Sequence, residues 1–168
     1  HAKKNKWLKT WLPSDTEEEE DDKEWFWFDK EGKVFRAGVN TAAETAANAE
    51  KYKLDEGTLV PDDNKVATLI GKKKVNSKDY WFDQEGRMLS NFYLVDDEMY
   101  YFGGSNDGSM KTGSQAIKDD AGDTYKFYFA TKGTNKGAGI TGNQNTKLYY
   151  YGMLIQADDY KYQLATID

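Results

Sequence analysis

Apolar and polar positions alternate in short runs along this chain, and the apolar positions of those runs are mostly rings. Trp25, Phe26, Trp27 and Phe28 are followed by Asp29, Lys30, Glu31, Gly32 and Lys33, then by a short stretch over 34–38. Tyr80, Trp81 and Phe82 lead through Asp83, Gln84, Glu85, Gly86 and Arg87 to Met88, Leu89 and Ser90. Tyr100, Tyr101 and Phe102 lead through Asn106, Asp107 and Gly108 to 110–113. Phe127, Tyr128 and Phe129 reach Ile140, Thr141 and Gly142 through a glycine-rich segment over 132–139. Tyr149, Tyr150 and Tyr151 turn at Gly152 into Met153, Leu154 and Ile155. The last rings fall at 28, 82, 102, 129 and 151, so one unit recurs, with about two units in the first interval.

Each copy predicts strand, turn and strand, because an aromatic, β-prone run meets Asp, Asn and Gly residues that adopt positive φ and then a second apolar stretch. A lone hairpin cannot bury its ring face, so the units must stack on one another. The predicted fold is all-β, a tandem β-hairpin repeat solenoid forming one array over 1–168, with units near 7–38, 58–91, 92–113, 114–142 and 143–168. Between the first two aromatic runs, Thr41, Ala42, Ala43 and Glu44 match a capping box and the following alanines favour helix, which predicts one short inserted α-helix at about 41–54. Gly57 and the 61–64 segment, Pro-Asp-Asp-Asn, predict a turn, and 66–75 a strand. Residues 7–12 predict an N-terminal strand, the acidic run 17–22 a solvated loop, and 160–167 a closing strand.

Side chains alternate across a strand, which sorts the rings into two faces. One face carries Phe26 and Phe28, Tyr80 and Phe82, Tyr100 and Phe102, Phe127 and Phe129, Tyr149 and Tyr151, all of them aromatic. That uniformity predicts the packing interface between units. On the opposite face a first column runs through Trp25, Asp79, Met99, Lys126 and Leu148, while a second column keeps a ring in every copy: Trp27, Trp81, Tyr101, Tyr128 and Tyr150.

Composition narrows what such an array could do. With 23 Lys and Arg against 29 Asp and Glu the net charge is -6, which repels a phosphate backbone and an anionic membrane surface, so nucleic acid is excluded as a partner. No apolar run approaches the roughly 20 residues of a spanning helix, which predicts no membrane insertion. The absence of cysteine removes disulfides, thiolate metal sites and a Cys nucleophile, and it is compatible with export. The chain begins at His1 without a charged-then-apolar leader, so it reads as a processed or trimmed segment.

Catalytic chemistry has little material. His1 is the single histidine, which leaves no Ser-His-Asp triad and no histidine metal site. The carboxylates at 17–22, 96–97 and 158–159 fall in expected loops with nothing apolar to raise a pKa. Residues 105–108 and 119–123 lack the closing Glu of an EF-hand loop and read as turns. The glycines of 133–142 have neither the Lys-Ser/Thr ending nor the following helix of a phosphate loop. The chain is therefore expected to be no enzyme and to need neither cofactor nor metal.

The unit W-F-W-F-D-x-x-G-K and its echoes resemble the cell-wall-binding repeats of Gram-positive surface proteins, relatives of choline-binding repeats, of the glucan-binding repeats of extracellular glucosyltransferases and of clostridial toxin repeats. The resemblance spans about 1–160 and is most specific at 25–38, 79–91 and 99–113. It implies a β-hairpin solenoid on an exported, cell-surface protein that attaches to cell-wall polymer or polysaccharide. In choline-binding repeats a cage for the methylammonium head uses a first-column Trp and a Trp after the preceding unit's closing Gly. Here only Trp25 keeps the first-column Trp, while Val39, Ser114 and Asn143 follow the glycines and Asn91-Phe92 replaces Gly-Trp. Because a cation needs several electron-rich faces around it, these columns argue against choline and for a neutral glycan, for which Trp25, Trp27, Trp81, Phe92, Tyr101, Tyr128 and Tyr150 are the candidate contacts. Two other readings stand beside this one: a structural spacer or protein-interaction segment without glycan affinity, and an accessory domain of a larger wall hydrolase or glycosyltransferase.

Overall fold

A computed structural model describes residues 4–14, 18–39 and 45–155, the side chains of 45–48 and 63–68 excepted. The described residues are all-β, and every strand among them pairs antiparallel. Strands β1 (Lys6–Thr10) and β2 (Glu24–Phe28) form a two-stranded ribbon. β3 (Thr45–Asp55), β4 (Thr58–Val75), β5 (Lys78–Asp83), β6 (Phe92–Val95) and β7 (Glu98–Tyr101) form a sheet in the order β5-β4-β3-β6-β7. β8 (Gly113–Lys118), β9 (Thr124–Phe129), β10 (Gly142–Gln144), β11 (Lys147–Tyr150) and β12 (Met153–Leu154) form another, in the order β10-β11-β12-β9-β8. The N-terminal strand and the strand over 66–75 agree with expectation, and Glu20–Asp22 of the acidic run make one 3₁₀ turn with no buried residue. The closing strand expected at 160–167 lies outside the described residues.

The inserted helix is not there. Residues 45–55 are β3, the central strand of its sheet, paired with β4 on one side and β6 on the other; residues 41–44 lie outside the described residues. Alanine's helix preference amounts to a few tenths of a kcal/mol per residue, and an isolated helix of this length is marginal in water. Here the hydrogen bonds of two neighbouring strands outweigh it, and a small Ala49, fully buried, fits where Ile70, Tyr93 and Phe102 close in. The turn expected at 61–64 is also absent as a chain reversal. Tyr52 pairs with Pro61 and Glu50 with Val66, so the segment between them bulges opposite Lys51 within a continuous β4. A bulge is one of the few places a central strand tolerates Pro.

Two devices recur among the reversals of the described residues. Five are two-residue turns with positive φ at both positions: Glu56-Gly57, Asn76-Ser77, Asp96-Asp97, Asn145-Thr146 and Tyr151-Gly152, the geometry that matches strand twist. The second device is an Asp-x-x-Gly loop. Asp29 Oδ1 accepts the N–H groups of Glu31 and Lys33, Asp83 Oδ1 those of Glu85 and Arg87, and Asp119 Oδ1 those of Ala121 and Asp123, all at 2.9–3.1 Å. A related carboxylate orders the turn after Phe102. Asp107 accepts from Ser109 N–H and Oγ and from Lys111 Nζ, the last at 2.6 Å. Burial alone would raise its pKa, but the bonds from Lys111 and Ser109 outweigh that and hold it below the ordinary carboxylate value. A depressed folded-state pKa contributes stability that is complete above the unfolded value, about 3.9, and disappears as pH falls through the folded value. With 43% of the Asp107 side chain exposed, we expect only about 0.5 kcal/mol. Asp107→Asn should therefore lower the thermal midpoint at pH 7 by more than it does at pH 2; equal losses at both would show that the charge contributes nothing.

Successive aromatic runs are joined by a recurring pair of backbone bonds. After each turn one N–H reaches back to the previous run: Met88 to Trp25 O, Met110 to Asp79 O and Gly139 to Met99 O, at 2.7–2.9 Å. The next residue bonds its own run: Phe35 to Trp27 O, Leu89 to Trp81 O, Lys111 to Tyr101 O and Ile140 to Tyr128 O. A glycine sits at each of these crossings, because a Cβ at Gly86, Gly108 or Gly137 would run into Val34, Met88 or Met110 of the preceding copy. The all-aromatic face fills the space between. Phe26, Phe82, Phe102, Phe127, Phe129 and Tyr149 are buried, and their four face-mates are half-buried.

Candidate glycan-contact surface

The seven candidate rings divide according to what packs over them. Trp27, 9% exposed, and Phe92, 3% exposed, belong to buried clusters. Trp27 meets Trp7 edge-on at 5.5 Å, and Phe92 lies between Tyr101 at 4.5 Å and Phe127 at 5.3 Å. Trp25 is half-buried, with its indole N–H donated to Asn106 Oδ1 at 2.9 Å, the same oxygen that accepts from Lys9 Nζ. The turn after the third run thus reaches back to the first. Trp81 is half-buried against the cluster of Ala49, Ile70 and Phe102, and its indole nitrogen has no hydrogen-bond partner. Tyr101 is half-buried on Phe92 and Phe129, where desolvation and then the Asp107 charge raise its phenol pKa. Tyr128 is half-buried beside Tyr149 at 5.9 Å. Tyr150 alone of the seven is open, at 59%.

Around Tyr150 the structure assembles groups that alternation did not bring together. Strand β11 ends at Tyr150, and Tyr151 occupies the left-handed first position of a two-residue turn, its ring half-buried against the Phe127–Phe129 cluster. This places Tyr151 against Tyr150 edge-to-face, with ring centroids 4.8 Å apart and planes at 89°. The Tyr151 hydroxyl donates to Asp97 Oδ1 at 3.0 Å, and that bond, with the Asp97 charge, raises the phenol pKa. Tyr151 N–H donates to Thr141 Oγ1 at 3.0 Å. The two tyrosines border an open cleft of about 440 Å³ that is also lined by Asp97, Glu98, Asn135 and Thr141. Two perpendicular tyrosine rings share that cleft with carboxylate, amide and hydroxyl groups. The expectation that Tyr151 packs against its neighbours agrees with its place on the Phe127–Phe129 cluster, whereas Asp97, Asn135 and Thr141 were not among the candidate contacts. The signal was the Tyr-Gly pair, whose glycine permits a tight turn that interrupts the period of two.

Among the described residues no group of three or more His, Cys, Asp or Glu side chains is placed to hold a metal. No protein-family profile matches the chain, and no curated protein sequence matches it. Solved structures do. CbpF in complex with ipratropium is 19% identical with a TM-score of 0.42, over 89% of this chain and 48% of that one. Choline binding protein F from Streptococcus pneumoniae in the presence of a peptidoglycan analogue, a tetrasaccharide-pentapeptide, is 19% identical with a TM-score of 0.26, over 95% and 62%. Alternansucrase in complex with isomaltononaose is 17% identical with a TM-score of 0.24, over 88% and 15%. The chain spans about half the length of the CbpF chain it matches.

Proposed function

We propose that this chain is a non-catalytic binding module of an exported, cell-surface protein, a solenoid of stacked hairpins that attaches to cell-wall polymer or neutral polysaccharide. The observation that carries this reading is the Tyr150–Tyr151 cleft. A pyranose presents an apolar C–H face and an equatorial ring of hydroxyls. Tyr150 offers an exposed flat ring for the first, and Asp97, Asn135 and Thr141 offer donors and acceptors for the second, the pairing of apolar wall and few polar groups that small-ligand sites use. The partly exposed edges of Trp25, Trp81, Tyr101 and Tyr128 would extend such contacts along a polymer, and Trp27 and Phe92 support them from beneath. Several weak contacts on one chain and one polymer add by avidity.

Co-sedimentation with purified wall material and with an insoluble glucan tests the site. Tyr150→Ala should lower retention at least about fivefold on the polymer that is bound, with the thermal midpoint nearly unchanged, because exposed side chains contribute within about 0.5 kcal/mol. Retention equal to that of the parent chain would remove Tyr150 from the site. The burial of Trp27 and Phe92 favours a second reading, a spacer or protein-interaction segment of a secreted protein whose rings serve packing alone. That reading predicts no retention on either material.

A further inference from the structure

Charge sets the Tyr150 cleft apart from other clefts of the described residues. A cleft of about 420 Å³ beside Trp11 is lined by one arginine and one glutamate, Arg36 and Glu85. Another, of about 240 Å³ over the Phe92–Tyr101 pair, is lined by three lysines and three aspartates. Both are balanced. The Tyr150 cleft, at about 440 Å³, has Asp97 and Glu98 and no lysine or arginine among the described residues that line it. Neither carboxylate forms an ion pair with a described residue.

The acidic groups lie at the hydroxyl ends of the two tyrosines. Asp97 Oδ1 accepts from the Tyr151 hydroxyl at 3.0 Å. That bond first, then the Asp97 charge, burial, and the charges of Tyr150 and Glu98 raise the Tyr151 phenol pKa, so Glu98 and the Tyr150 hydroxyl act on the same point. Turn geometry does not call for Asp97. It holds a φ of 64° at the second position of the Asp96-Asp97 turn, where glycine is the residue of lowest strain. With Oδ1 taken by Tyr151, Asp97 Oδ2 and the Glu98 carboxylate remain, on an exposed and a half-buried residue. Thr141 Oγ1 accepts from Tyr151 N–H and keeps its own proton to donate, and Asn135 is exposed.

We infer that the Tyr150 cleft selects an amino sugar, a pyranose whose amine is free and protonated, with its C–H face on Tyr150, its hydroxyls on Asn135 and Thr141, and its ammonium beside Asp97 and Glu98. This selectivity rests on the polysaccharide reading above and narrows it to a polymer that carries unacylated amino sugars. Polymers bearing phosphates or uronic acids are disfavoured, because two uncompensated carboxylates repel them. A cation without a ring would meet the carboxylates but forfeit both the Tyr150 stack and the hydroxyl bonds.

The ¹⁵N-labelled full chain, titrated at about pH 6 with glucosamine, N-acetylglucosamine, glucose and choline chloride in turn, tests this. Glucosamine should shift the amides of Glu98, Thr141, Tyr150 and Tyr151 and bind at least about threefold more tightly than each of the others, the scale of one exposed ion pair. Asp97→Asn combined with Glu98→Gln keeps an oxygen for the Tyr151 hydroxyl and suits the positive φ, and it should bring glucosamine down to the affinity of glucose. Asp21→Asn combined with Asp22→Asn removes the same charge from the exposed 3₁₀ turn and should leave the preference intact, which separates a local effect from one of net charge. Tyr150→Ala should abolish the shifts from every sugar. Equal affinities for glucosamine and glucose, a preference that survives the loss of both cleft carboxylates, one that falls equally in the Asp21 and Asp22 variant, or choline bound as tightly as glucosamine would each overturn the assignment and leave the polysaccharide reading standing. Shifts from no sugar would overturn it as well, and only with failure to pellet on wall material and glucan would the polysaccharide reading fall too.

Discussion

Replacing Phe129 by alanine is expected to destabilise the chain by about 3–5 kcal/mol, the range for deleting a fully buried phenylalanine. Phe129 is 0% exposed. Its ring stacks parallel on Phe127 at 5.8 Å and on Tyr101 of the preceding run at 6.4 Å, so the void left behind opens between two copies of the unit rather than inside one. Neither β7 nor β9 can close over it without breaking the backbone bonds that tie run to run, among them Gly139 N–H to Met99 O at 2.7 Å. Equilibrium denaturation read by near-ultraviolet circular dichroism measures the loss. A loss below about 1 kcal/mol would mean that the runs are not packed through this face.

The second large effect comes from adding a methyl group. Gly139 pairs with Phe129 and has an ordinary φ, yet a Cβ there would lie 2.7 Å from the carbonyl carbon and oxygen of Tyr151 and 2.8 Å from Gly152 N. Those atoms are backbone, so no rotamer change relieves the clash. Either the Tyr151-Gly152 turn moves, loosening Gly152 N–H to Ile140 O and Tyr128 N–H to Gly152 O, or the bond to Met99 O opens. Overpacking costs about 1–3 kcal/mol and a lost backbone bond about 1 kcal/mol, which puts Gly139→Ala at about 2–4 kcal/mol. Because the displaced turn carries Tyr151 and borders the Tyr150 cleft, polymer retention should fall with it. Parent-like stability would show that the two segments are not in contact.

The parts of this fold that were legible in the sequence were those written in local chemistry. Alternation along Tyr80, Trp81 and Phe82 told inside from outside, and the buried faces of Phe82, Phe102 and Phe129 follow that period. Asp29 and Asp83 announced their loops because Asp and Gly stand at the offsets the hydrogen bonds need. What was illegible depended on distant partners. Nothing within 45–55 says that β4 and β6 will flank it, so alanine's preference suggested a helix where nonlocal pairing makes a strand. The turns Asn76-Ser77, Asp96-Asp97 and Asn145-Thr146 carry no glycine and so gave a weaker signal than Glu56-Gly57. The cleft at Tyr150 draws Asp97 from the third run, Asn135 and Thr141 from the fourth and Tyr151 from the fifth, a convergence set by stacking and not by spacing.

Attachment of the chain to an insoluble polymer can be measured without knowing which side chains make the contact. Purified chain is incubated with Gram-positive wall material and, separately, with an insoluble glucan, then centrifuged, and the bound and free fractions are measured over a range of added soluble oligosaccharide. The chain should pellet with at least one of the two and be released as the matching oligosaccharide is added. A chain that stays wholly in the supernatant with both materials would contradict attachment and leave the spacer reading in its place.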